Sequence, residues 1–125
     1  MILSLLIALS VPALAQAPAA PPKPGPEVQK FAYFLGTWVS NADMKPSPFG
    51  PGGKTTFTEH NEWFPGHFFL LTRSEGEMPS MGKVKGLSIM GYDAAKREYS
   101  YHAINSMGMA EDATGHLDGD TWTWN

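Results

Sequence analysis

The chain contains no cysteine. A disulfide framework, a thiolate metal centre and a cysteine nucleophile are therefore excluded. Charge is also scarce: 17% of the 125 residues are Asp, Glu, Lys or Arg, with 9 basic against 12 acidic. That balance argues against nucleic acid as a partner, because phosphate recognition needs clustered Lys and Arg. No G-x-S-x-G elbow, P-loop or dinucleotide fingerprint is present. The four histidines, His60, His67, His102 and His116, show no H-x-x-x-H ligand spacing. After residue 11 there is no apolar run long enough to span a bilayer.

What is present falls into three parts. Residues 2–11 form a short apolar run, followed by Pro12 and the small-residue pattern Ala13-Leu14-Ala15. This reads as a signal peptide over residues 1–15, with export to the periplasm or the extracellular space. The basic n-region of such a leader is missing, since no Lys or Arg precedes Lys23. Residues 16–26 are rich in Pro and Ala and read as an extended linker. Residues 27–125 read as one domain.

The domain opens with Val28, Phe31, Phe34 and Leu35 on one face of a short helix that Gly36 ends. Period-2 patterning then predicts strands over 37–44, 54–64, 67–74, 84–92, 98–106, 107–116 and from Thr121 onward. Pro65-Gly66 predicts a tight hairpin turn, and Glu75–Lys83 predicts a polar connection. The fold class expected is all-β: an antiparallel barrel preceded by one short helix. About seven strands are fewer than the eight or so that close such a barrel. Trp122 and Trp124 share one face of the last strand with nothing after them. Both observations predict a barrel that is incomplete in this chain, truncated at its C-terminus.

Several segments, in order, resemble an uncharacterised bacterial family, DUF1579. They are Phe34-Leu35-Gly36-Thr37-Trp38, Asn61-Glu62-Trp63 with Pro65-Gly66, and Gly91-Tyr92-Asp93. Tyr99 with Asn105-Ser106-Met107-Gly108 and Asp118-Gly119-Asp120-Thr121-Trp122 complete the series. The resemblance implies a lipocalin-like, or calycin, β-barrel, and implies no catalytic residue. Within it Gly36, Trp38 and Asp93 read as structural. Gly36 ends the helix, Trp38 buries its ring against the closed end of the barrel, and Asp93 accepts turn N–H groups.

The candidate ligand-binding residues are Trp63, Met90, Tyr92, Ser100, His102 and Ile104. Ser100, His102 and Ile104 share one face of a strand, where small, polar and apolar side chains together suit a mixed cavity wall. His60, His67 and Glu62 flank one turn and suggest a metal site only if the strands bring them together. Met78/Met81 and Met107/Met109 have soft-ligand spacings, but read first as flexible filler. No cofactor is implied. The leading expectation is a non-catalytic protein that binds a small apolar or amphipathic ligand. The alternatives are a partner-binding module with open sheet edges and an enzyme using His102 as a base.

Overall fold

A computed structural model describes residues 20–125, apart from 47, 49 and 80. The expected signal peptide and the first part of the linker lie outside the described residues. Among the described residues seven strands form one antiparallel sheet whose spatial order is the chain order. They are β1 (Gly36–Met44), β2 (Gly53–Trp63), β3 (Leu70–Met78), β4 (Gly82–Asp93), β5 (Glu98–Asn105), β6 (Ala110–Asp118) and β7 (Thr121–Trp124). The sheet curls into a half-barrel, with β1 and β7 as its two edges. No helix among the described residues is long and apolar enough to cross a membrane.

The opening helix is shorter and tighter than its sequence suggests. One α-turn, α1 (Pro26–Gln29), passes into a 3₁₀ segment over Lys30–Phe34. Val28, Phe31 and Phe34 are three residues apart, which matches the 3₁₀ period. Val28 and Phe31 are buried and Phe34 is half-buried, while Leu35 leaves the face and is exposed. Gly36 then takes φ +99°, a conformation that costs glycine little.

This helix closes one end of the half-barrel. The Phe31 ring lies 5.3 Å from Tyr99 and 5.7 Å from Trp122, and Phe34 lies 5.4 Å from Trp122. The Tyr99 hydroxyl donates to the Glu27 carbonyl at 3.2 Å. Val28, Phe31, Leu70 and Tyr99 form the buried core, with Trp63, Met90, Tyr92 and Trp122 packed around it. Trp122 is thus covered by the helix.

Three connections differ from the sequence reading. The hairpin between β2 and β3 uses residues 64–69 instead of the Pro65-Gly66 pair alone. Phe64 N–H donates to Phe69 O and His67 N–H donates to Phe64 O, both at 2.9 Å. A Pro-Gly turn splays the strands it joins, and the extra residues restore their twist. The expected polar connection over 75–83 is mostly strand. Glu75 pairs with Lys85 and Glu77 with Lys83 across β3 and β4, so the charges mark a solvated outer face and not a loop. The β5–β6 turn covers residues 106–109 and delays β6 to Ala110. There Asn105 Oδ1 accepts from Met107 N at 3.0 Å and from Met109 N at 3.1 Å.

Candidate functional site

Strand register separates two faces. Trp38, Glu59, Ser74, Gly86 and Asn105 lie in one row across β1–β5. This parity is the inner, concave face. Phe57, Asn61, Thr72, Ser88, Met90, Tyr101 and Trp124 share it, and none of them is exposed. Together they bound a hollow of about 1120 Å³, large enough for a drug-sized molecule.

The walls of the hollow are mixed. Trp38, Phe57, Met90 and Trp124 supply apolar surface. Thr72 Oγ1 donates to Asn61 Oδ1 at 2.5 Å, a buried pair that satisfies both groups. The Tyr101 phenol is hydrogen-bonded by Ser88. Burial pushes its pKa above the ordinary 10.0, and the Glu111 and Glu59 carboxylates push further in the same direction.

Trp38 is 40% exposed, whereas the sequence reading buries it at the closed end. Among the described residues it stands on an edge strand, β1, which pairs with β2 alone. Its indole N–H donates to Phe34 O at 2.8 Å and its ring lines the hollow. One residue therefore ties the helix end to β1 and forms part of the cavity wall.

A second, smaller recess of about 500 Å³ is lined by Phe69, Tyr92, Ser100, His102, Asp112 and Thr114. His102 Nδ1 lies 2.5 Å from Asp112 Oδ1, and both side chains are solvent-exposed. Gly91 makes room for Phe69: a Cβ there would lie 2.7 Å from the Phe69 ring.

The six candidate ligand-binding residues therefore do not converge. Met90 lines the large hollow, and Ile104, exposed on the outer face, reaches its rim. Tyr92, Ser100 and His102 line the smaller recess. Trp63 borders neither; it packs on the core and stacks on His67 at 5.6 Å. On β5 the inward residues are Tyr99, Tyr101 and Ala103, while His102 and Ile104 face out. Burying the two tyrosine rings outweighs placing one imidazole inside.

Asp93 Oδ1 accepts from Ala95 N at 3.0 Å and from Lys96 N at 3.1 Å, closing the β4–β5 turn. The His60, His67 and Glu62 set is dispersed. His60 Nδ1 sits 2.9 Å from Thr37 Oγ1, His67 lies on Trp63, and Glu62 pairs with Arg73. Among the described residues no group of three His, Asp or Glu is placed to hold a metal. Met107 and Met109 are both exposed at the β5–β6 turn. Sequence reasoning missed Glu59, Tyr101 and Glu111, which become a group only once register brings β2, β5 and β6 around one hollow.

The fold and its hollow define a class: an antiparallel β half-barrel, closed at one end by a helix, around a mixed aromatic and polar cavity. Within that class the chain belongs to the protein family of unknown function DUF1579, whose signature matches residues 23–123. Neither a curated protein nor a solved structure matches it significantly.

Proposed function

We propose that this protein is an exported, lipocalin-like, non-catalytic carrier that takes a small apolar or amphipathic ligand into the half-barrel. The observation that carries this reading is the hollow of about 1120 Å³, with Trp38, Phe57, Met90 and Trp124 on its walls. Sheet faces normally bury such rings against a second layer. Here they face open volume, and filling it removes apolar surface from water at about 25 cal/mol per Å².

Titration with N-phenylnaphthylamine, an uncharged fluorescent probe, tests the reading. Saturable one-to-one enhancement is expected, weakened in Trp38→Ala. Enhancement that never saturates, or that Trp38→Ala leaves unchanged, would reject it. Export rests on residues 1–15 and has its own test. The N-terminus of the protein recovered from the cell envelope should be Gln16; an intact Met1 on cytoplasmic protein would reject it.

One geometric feature favours a second reading. The Asp112–His102 pair has the arrangement in which a carboxylate orients an imidazole for general-base work, and Ser100 lines the same recess. Both members are well exposed, so water screens the pair and limits what the carboxylate adds. Turnover of small aromatic esters that disappears in His102→Ala would establish this reading. Equal turnover in both proteins, or none, would remove it.

A further inference from the structure

Two carboxylates interrupt the lining of the large hollow. Glu59 stands half-buried on β2, directly across from Trp38 on one side and Ser74 on the other. Glu111 stands on β6 opposite Ala103 of β5 and is exposed at the mouth. Both line the same hollow as the Tyr101 phenol, whose pKa both raise. Neither has an ion-pair partner among the described residues.

Glu27, Asp43, Glu77, Asp118 and Asp120 also lack an ion-pair partner among the described residues, but of the acidic residues only Glu59 and Glu111 line the hollow. The ion pairs among the described residues join Glu62 to Arg73, Glu75 to Lys85, Asp93 to Lys96, Asp112 to His102 and Glu98 to His116. All of these lie on the outer face or at turns. Among the described residues no Lys, Arg or His lines the hollow. The half-buried Glu59 charge stands beside apolar walls and gains no compensating partner from the described residues. The Trp38, Phe57 and Trp124 rings act in the same sense, since aromatic faces attract cations.

We propose that the ligand of the hollow is a small organic cation, an amine or quaternary ammonium on an apolar body. Its charged head sits by Glu59 and Glu111, and its body lies against Trp38, Phe57 and Trp124. The proposal rests on the ligand-binding reading above and specifies its chemical class. An anionic amphiphile of the same size, such as a fatty acid, would add a third negative charge to a wall with no cation to receive it.

Three probes on one apolar body test this with the full chain: naphthylethylamine, its N-acetyl derivative, which is uncharged, and naphthylpropanoate. Binding is measured by titration calorimetry near neutral pH. The amine is expected to bind roughly tenfold or more tighter than the amide, and the carboxylate more weakly than the amide. The double variant Glu59→Gln, Glu111→Gln should bring the three affinities to within about threefold of one another. Each single variant should lose part of the preference, so the test survives if the double variant does not fold. Glu75→Gln on the outer face should leave the ranking unchanged.

Equal binding of amine and amide would overturn the cationic assignment and leave the cavity reading standing. A preference for the amine that persists in the Gln variants would overturn the role of the two carboxylates. Failure of every probe to bind saturably would reject both the assignment and the cavity reading.

Discussion

Gly115 shows how closely single positions are fitted in this sheet. It is buried on β6 beneath the Trp124 ring, and a Cβ there would lie 2.6 Å from Trp124 Cε3 and 2.9 Å from the Thr123 carbonyl. Gly115→Ala should therefore destabilise the fold by about 1–3 kcal/mol, the range for overpacking, and displace Trp124 from the wall of the hollow. Urea denaturation reads the first effect, and a red shift of tryptophan emission reads the second. Tyr101 makes a prediction of the opposite kind, about charge. Its phenol titrates higher in the folded chain because burial, then Glu111 and Glu59, disfavour the phenolate. The stability this reports is fully present below the unfolded value of 10.0 and is lost as pH rises through the folded one. The urea midpoint should thus fall as the pH rises past about 10. Tyr101→Phe should shrink that fall; an identical fall in the variant would assign it to other groups.

At the scale of elements, the opening helix contributes more than its nine residues of chain suggest. It carries Phe31, fully buried between Tyr99 of β5 and Trp122 of β7, so it links strands that share no ladder. Phe31→Ala should cost about 3–5 kcal/mol and, by uncovering Trp122, weaken the near-ultraviolet circular dichroism of the aromatic cluster. A loss below about 1 kcal/mol would mean that the helix merely rests on the sheet. The strands themselves were legible in the sequence because alternation specifies a pleated, half-buried segment whatever its neighbours. Turn chemistry was legible where one residue suffices, as at Asp93. Three boundaries were not. The charged residues around Glu75 and Lys83 look like a loop until they are seen to alternate with Gly76, Met78 and Val84 on the inner face. The turn at 64–69 depends on twist, which no residue type encodes alone. The α-turn gives way to 3₁₀ geometry because only Val28, Phe31 and Phe34 find partners.

For the molecule as a whole, alternation shows that a strand has two faces but does not show which one looks inward. Tyr99, Tyr101 and Ala103 separate from His102 and Ile104 in the sequence. Choosing between the sets requires knowing what β4 and β6 present beside them, and register supplies this through Met90, Tyr101 and Ala113 in one row. The same dependence hid Glu59 and Glu111, which are 52 positions apart in the chain and face one hollow only after five strands have paired in order. A cavity assembled so late in the chain's organisation is linked to global stability, because the unfolded chain holds no trace of it. Any occupant of the hollow should therefore raise the stability of the whole sheet. With an uncharged aromatic probe at about 100 times its dissociation constant, unfolding should become harder by about 2.7 kcal/mol. The thermal midpoint should climb with the logarithm of probe concentration. Trp38→Ala, which removes one wall of the hollow and the bond to Phe34, should lower the starting midpoint and reduce the climb together. A climb of full size in that variant would place the probe elsewhere, in the recess lined by Phe69 and His102, where Phe69→Ala would then be the substitution that abolishes it.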